Sequence, residues 1–393
     1  MKKILVASTA LVAAGMLTAG SASASEKIKL NLGGYSKWWV VGAWQDGDYE
    51  AAMGAGNGNG SANNVDVKGE NEVWFGGSTT LDNGLQVGID MQLRTGGTTD
   101  SSTSATTGST NADTIDESYV WVSGGFGKVI IGTENNGTYL LHVTAPDAAG
   151  NWNEGGVMTG GLAIARPANV TTLPGGNTTA INTDGDADKL TYVAPSFYGL
   201  TLGASYVPNA NEDNQNVYGS AGSTVNAASE IYGVGALYNN TFGGVGVKVS
   251  AGWVTYDISA STDRSQEVAF GTQLSYAGFT LGGSYRNVSQ NANSSSATST
   301  ATGYGWDVGL QYATGPYAVS LAYFNSKVAG SSTVGEDEVT AYQLSGKYNL
   351  GAGVDLLASV GHIEFDDESA KASNSDSNHN EGWTVMTGLS LQF

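Results

Sequence analysis

The chain has 393 residues, 13% of them charged, with 57 Gly, no Cys and a formal charge of −20 at pH 7. That acidity argues against nucleic acid or an anionic lipid surface as partner and favours attraction of cations. The absence of Cys excludes a disulfide framework and thiol chemistry.

In chain order, the first element is an export signal. Lys2 and Lys3 precede an apolar stretch from Ile4 to Leu17, and Ala22-Ser23-Ala24 supplies a small-residue cleavage site. The stretch is too short for a membrane helix. Residues 1–24 are therefore expected to be a signal peptide, with the mature chain, 25–393, beginning at Ser25.

Long runs of the mature chain alternate with a period of two. The first run, "KIKLNLGGYSKWWVVGAW", puts Ile28, Leu30, Leu32, Trp38 and Val40 on one face and Lys27, Lys29, Asn31, Tyr35 and Lys37 on the other. "LQVGIDMQLRT" sets Leu85, Val87, Ile89, Met91 and Leu93 against Gln86, Gly88, Asp90, Gln92 and Arg94. "YAGFTLGGSYRN" opposes Phe279, Leu281 and Tyr285 to Thr280, Ser284 and Arg286, and "YGWDVGLQY" opposes Val308 and Leu310 to Asp307 and Gln311. The closing run sets Trp383, Val385, Leu389, Leu391 and Phe393 against Thr384, Met386, Ser390 and Gln392. "DESYVWVSG" and "SEIYGVGALY" leave their parity open. In a soluble sandwich the second face would also need a packing layer, yet here it holds Gly, Ser, Thr, Gln and the charges. A charge on a lipid face costs about 2–4 kcal/mol near mid-membrane, so charges belong on the wet parity.

Seven Gly-, Asn- or Pro-rich turns stand near residues 83, 125, 197, 242, 278, 315 and 351. Longer polar intervals alternate with them at 45–63, 96–112, 134–186, 208–228, 258–264, 289–303, 328–336 and 366–380. Seven turns and eight loops join sixteen strands. Short connections on one side and long ones on the other mark a transmembrane, antiparallel up-and-down β-barrel of the outer-membrane type. The last strand must pair with the first, because an open edge in hydrocarbon is prohibitive.

With "DESYVWVSGGFGKVIIGTENNG" at 116–137, "DKLTYVAPSFYGLTLGASYVP" at 188–208 and a terminal Phe393 on an alternating strand, the chain resembles the general diffusion porins of Gram-negative bacteria. The resemblance implies a homotrimer, each barrel with its own pore, in the cell outer membrane among lipids and lipopolysaccharide. It implies passage of small hydrophilic solutes and ions, and it makes Phe393 part of a signal read by the outer-membrane assembly machinery.

The interval 134–186 differs from the other loops. It carries Tyr139, Leu140, Leu141, Val143, Trp152, Val157, Met158, Leu162 and Ile164, stiffened by Pro146, Pro167 and Pro174. It is too long and too apolar for a surface loop. Folding into the lumen would bury those side chains and narrow the channel, as the third loop does in the resembling family. Fixed charges at such a narrowing act on ions at short range. Asp147 and Glu154 are the candidate loop acids, and Lys37, Lys68 and Arg94 the candidate wall cations, with Arg166 facing either way. The family sets acid on the loop against base on the wall. With only Arg94, Arg166, Arg264 and Arg286 as arginines, this wall is thinner than is usual, and a modest cation preference is expected.

Weaker signals remain. Asp184, Asp186 and Asp188 alternate as hard-cation ligands would, and Asp366, Asp367 and Glu368 repeat the theme, so a structural Ca2+ is one reading and solvated loop acids the other. No cofactor is otherwise implied. "GAGNGNG" at 54–60 lacks the helix and Lys of a phosphate loop. Two rival functions are a sugar-selective channel, which needs an inward aromatic ladder beyond Tyr35 and Trp39, and a barrel hydrolase using His362 with Glu364 or Asp366. A third is an occluded adhesive barrel.

Overall fold

The structure is a computed structural model that describes residues 27–54, 63–97, 115–150, 152–153, 156–157, 164–210, 228–258, 263–291, 301–330 and 335–393. The signal sequence 1–24 and Glu154 lie outside the described residues.

Strands β1 (Asn31–Gln45), β2 (Val65–Thr80), β3 (Gln86–Gly97), β4 (Ile115–Gly124) and β5 (Gly127–Gly132) open the fold. A short pair, β6 (Trp152–Asn153) and β7 (Gly156–Val157), interrupts the third interval. Then come β8 (Lys189–Val193), β9 (Leu200–Asn209), β10 (Ala228–Phe242), β11 (Val245–Ile258), β12 (Ser265–Tyr276) and β13 (Phe279–Ser289). β14 (Gly303–Thr314), β15 (Tyr317–Ala329), β16 (Glu336–Gly351), β17 (Val354–Asp366) and β18 (His379–Gln392) complete it. Two helical segments, α1 (Gly47–Gly54) and α2 (Gly137–Leu140), lie in the first and third loops.

All strands but β6 and β7 form one closed antiparallel barrel of sixteen, and β18 pairs with β1 through Trp38↔Leu389 and Trp44↔Trp383. The ring has no free edge. Each predicted turn is a short connection between neighbours. Gly243-Gly244 and Ala277-Gly278 both take positive φ at two successive residues, the geometry that lets a two-residue hairpin match strand twist.

The predicted parities hold. Leu281, Val308, Leu389 and Trp38 are exposed outward, while Ser284, Arg286, Asp307, Thr384 and Tyr35 are buried inward. The two ambiguous strands have physical reasons for their ambiguity. In β10 the register shifts between Ser229 and Tyr232, with Glu230 in the left-handed region, so Ile231 is buried while Tyr232 next to it faces out. In β4 the inward row is Glu117, Tyr119 and Trp121, two of them aromatic, because Leu140 of the third interval packs on that wall.

Outward aromatics gather in two belts. Phe279–Tyr312 and Tyr317–Tyr348, with ring centroids 4.5 and 4.8 Å apart, mark the short-turn end. Tyr206–Tyr232 and Trp306–Tyr323, both at 5.1 Å, mark the long-loop end.

The apolar core is made between the inward parity and the third interval rather than between two sheets. Ala145, Ile164 and Val170 join Phe324, Val339, Ile363 and Phe365, and Ala149 joins Trp39, Val41 and Met386. Ile181 packs with Val207, Val254 and Tyr256.

Candidate functional site

The third interval makes two passes over inward-parity residues. The outgoing pass starts at α2, where the side chain of Asn136 accepts from the backbone N–H of Thr138 and Tyr139. Here Gly203 and Gly235 leave room for the backbone of Gly137; a Cβ at either would come within 2.9 and 2.7 Å of the Gly137 carbonyl oxygen. Further along, Val143 N–H donates to Ser250 Oγ at 3.1 Å, Ala145 N–H to Asp307 Oδ1 at 3.2 Å and Ala148 N–H to Ser320 Oγ at 2.8 Å. Small polar residues on alternate wall positions thus satisfy an irregular backbone that would otherwise be buried unpaired.

The returning pass begins where Asn380 donates to the Ala165 carbonyl at 2.7 Å and Thr171 N–H donates to Asp337 at 2.6 Å. It ends on a charged clamp. Arg286 and Glu267, both with fully enclosed side chains, pair at 2.6 Å. Arg286 also donates to the carbonyls of Pro174 at 2.9 Å and Thr178 at 3.4 Å and to Thr183 Oγ1 at 3.1 Å. The Thr183 hydroxyl and Tyr256 OH both donate to Glu267. Alternation marks Arg286 as inward, but its hold on the third interval has no local signal, since Pro174, Thr178 and Thr183 lie more than a hundred residues away.

His142, in the outgoing pass, is half-buried near Arg286 and within 3.4 Å of Thr179. Burial, and then the Arg286 charge, push its pKa down to about 3. An unfolded His titrates near 6.5, so between about pH 6.5 and 3 the released interval binds more protons than the packed one. The contribution of neutral His142 to packing is complete above that window and is lost as pH falls through it. Acidification is expected to raise protease sensitivity of the interval over that range, and His142→Gln to flatten the response. Limited proteolysis across pH checks this.

The predicted wall cations meet carboxylates on their own wall. Lys37, directly across from Glu70, lies 3.3 Å from it and 4.7 Å from the Tyr35 ring centre. Tyr35 OH contacts Glu70 at 2.7 Å and Glu72 at 2.9 Å, and Trp74 Nε1 donates to Glu72 at 2.9 Å. Lys68 pairs with Asp66 at 2.8 Å, and Arg94 with Asp116 at 2.9 Å and Glu72 at 3.9 Å. Deeper, Glu117 accepts from Gln92 and Asn135, both at 2.8 Å, and Lys128 lies 4.9 Å from the Trp121 ring centre, with Asp90 and Glu134 buried nearby. Asp66, Glu70, Glu72, Asp90, Asp116, Glu117 and Glu134 outnumber Lys37, Lys68, Arg94 and Lys128. The wall is itself acidic, rather than a plain basic face awaiting an acid loop. Sequence reasoning passed over these acids, although Asp66, Lys68, Glu70 and Glu72 sit at alternate positions of one strand.

The other predicted residues disperse. Asp147 accepts from Ser320 at 2.9 Å and Gln343 at 3.4 Å, against β15 and β16. Arg166 donates to Thr172 at 2.9 Å within its own loop. Asp184 is enclosed with Lys189 at 3.5 Å and accepts from Asn136. Burial holds its carboxyl above the ordinary range against the pull of Lys189 and Asn136. It is thus a loop anchor, and its ligand atoms do not converge with those of Asp186 and Asp188. Among the described residues, the group of three that does converge, within 4.8 Å, is Asp337, Asp367 and Glu368. His362 and Glu364 stand on the outward parity of β17, away from the lumen, which leaves the hydrolase reading without a pocket inside the barrel.

A closed sixteen-strand barrel with an oily belt and a charged interior defines a transmembrane β-barrel of the outer-membrane class. The chain belongs to the Gram-negative porin family, whose profile matches residues 7–368. The major outer membrane protein of Pasteurella multocida is 34% identical over 98 residues, 24% of this chain and 26% of that protein, so the match spans about a quarter of that relative's length. Among solved structures, an anion-selective porin from Comamonas acidovorans superposes with a TM-score of 0.59 at 16% identity, covering 93% of this chain and 100% of that one. A porin refined at 1.8 Å gives 0.57 at 17% with the same coverage. A loop-deleted outer membrane protein of Vibrio cholerae gives 0.57 at 11%, covering 94% and 100%. These likenesses are of fold. Family and architecture place the protein in the cell outer membrane.

Proposed function

We propose that the protein is a passive, water-filled channel for small hydrophilic solutes and ions, narrowed by the third interval and preferring cations. The observation that carries the preference is the acid surplus around Lys37, Lys68 and Arg94, where each cation already has a carboxylate partner. The hydrogen bonds of both passes to wall residues from β9 round to β18 support the narrowing. They leave the partly exposed Lys37, Glu70 and Arg94 on the opposite wall to line the passage. A sugar slide is less favoured, because inward Trp39, Tyr119 and Trp121 are covered rather than presented.

Three copies are proposed to associate through the outer face of β2–β5. Among the described outward residues there, the aromatics are Phe75 and, at the β4–β5 turn, Phe126, a sparse set compared with the belts elsewhere. Next to it, Ser36 donates to Asn71 on the outward side at 2.5 Å, a polar contact better suited to a protein neighbour than to lipid. Residues 1–24 act as the export signal. Phe393, whose backbone exchanges two 3.1 Å hydrogen bonds with Gly34 while its ring stays exposed, is offered to the assembly machinery. The external acids leave room for calcium-bridged lipopolysaccharide.

In a planar bilayer the purified protein should give conductance steps in groups of three, and under a salt gradient a reversal potential of cationic sign. An anionic sign would overturn the preference, and absence of steps would overturn the channel.

A further inference from the structure

The fixed charges of this barrel are shared unequally between its two ends. Leaving aside the third interval, the other seven long connections hold eleven acidic and two basic residues. The seven short turns hold one acid, Asp82, and no base. In a barrel of this class the long loops, and so the acid end, face the cell exterior.

Inside the barrel the balance changes with depth. Within four residues of a short turn, the charged residues on the inward parity of the described strands are Lys128, Lys248, Lys347 and Asp355. Lys248 shares its parity with buried Ser250, and Lys347 with buried Ser345. Lys347 lies across from Leu357, the fourth residue of β17. The three lysines stand on β5, β11 and β16, spread around the ring rather than bunched. Lys347 is 3.9 Å from Asp355, and the charges of Glu134 and Asp90 act on Lys128. The short-turn mouth is therefore close to charge balance, while the long-loop mouth is strongly negative.

An acidic mouth gathers cations and repels anions over a reach set by the screening length. A field directed inward from that mouth drives the gathered cations into the narrow passage. The same field draws anions in through the other mouth, where no acid surplus turns them back. Both ions then accumulate in the passage, and conductance rises. Under the opposite field cations leave freely past the acids, while anions meet the acidic mouth as their entrance. The passage is depleted, and conductance falls. We propose that this channel rectifies, passing more current when its long-loop side is positive. The proposal rests on the open-channel reading, and it depends on where along the axis the charges sit rather than on their total.

Single channels of Ser373→Cys, at an exposed position in the last loop of a chain that has no native Cys, are recorded in a planar bilayer. A thiol-reactive polyethylene glycol too large for the passage is then added to one chamber, and the pores it perturbs present their long loops there. Equal voltages of opposite sign should give currents that differ about 1.5- to 3-fold at 0.1 M salt, the larger with the long-loop side positive. The two should become nearly equal at 1 M, where the screening length falls to about 3 Å. Lys248→Glu with Lys347→Glu, which makes both mouths acidic, should bring the ratio at 0.1 M close to one. Asp48→Asn with Glu50→Gln, which thins the acid mouth, should lower it toward one, and is the deciding arm if the lysine pair fails heat-resistant gel mobility as a test of folding. Equal currents through open parent channels at 0.1 M, a larger current of the opposite sign, or a ratio undiminished at 1 M would overturn rectification by charge. So would a ratio unchanged in the folded variants. Absence of conductance would instead overturn the channel itself.

Discussion

Arg286→Ala is expected to enlarge the single-channel conductance and make it flicker, while leaving the barrel assembled. The substitution removes the group that gathers Pro174, Thr178 and Thr183 onto β12 and β13, and it strands Glu267 where its side chain has no access to water. Breaking one partner of a buried ion pair costs about 3–5 kcal/mol. That cost falls on the returning pass, because the strand ladder does not use these side chains. The pass gives way first. Arg286→Lys should restore the conductance only in part, since an ammonium cannot serve the same spread of acceptors as the guanidinium fork. Replacing both partners, Glu267→Leu with Arg286→Met, should be milder than either single change, because no charge is then left buried. Bilayer recordings decide the matter: unchanged conductance and noise in Arg286→Ala would show that the clamp does not set the passage.

Neutralising the wall acids should move ion selectivity just as clearly. A charge 4–8 Å from a permeating ion in water is worth about 0.5–1 kcal/mol, of opposite sign for cation and anion, or about a five- to thirty-fold change in the cation-to-anion ratio before screening. Glu70→Gln and Glu72→Gln together should therefore reduce the cation preference by at most the product of two such factors. Lys37→Gln with Arg94→Gln should raise it. Both shifts should shrink at 1 M salt, where the screening length falls to about 3 Å, compared with about 10 Å at 0.1 M. Reversal potentials at the two salt concentrations check the pair of expectations. Equal ratios in the double acid variant and the parent at low salt would remove these residues from the ion path.

The two predictions draw on different kinds of information. Period-two alternation shows which face Glu70, Glu72, Lys37 and Arg286 occupy, because side chains of a strand must alternate and lipid admits no unpaired charge. It does not show which residues on neighbouring strands meet. Tyr35 stands across from Glu72 and Lys37 across from Glu70, a pairing set by strand stagger, which turn spacing constrains only loosely. Bulges defeat alternation more directly: at Glu230 one extra residue reverses the facing of everything after it. The acidic run at 184–188 misled for a related reason. A string of alternating Asp carries no trace of Lys189 and Asn136, which close on Asp184 only once the third interval has folded back.

Sequence alone determined the number of strands, the places of the seven turns, the closure of the last strand on the first and the faces that carry charge. These stem from local rules, namely backbone hydrogen bonds that cannot go unmade in hydrocarbon and side chains that alternate along a strand. Only the tertiary structure decided which acid answers which base and how Arg286 ties the third interval to the wall. Those arrangements join residues tens to hundreds of positions apart. Their geometry depends on stagger, bulges and the path of one long loop, none of which leaves a periodic mark.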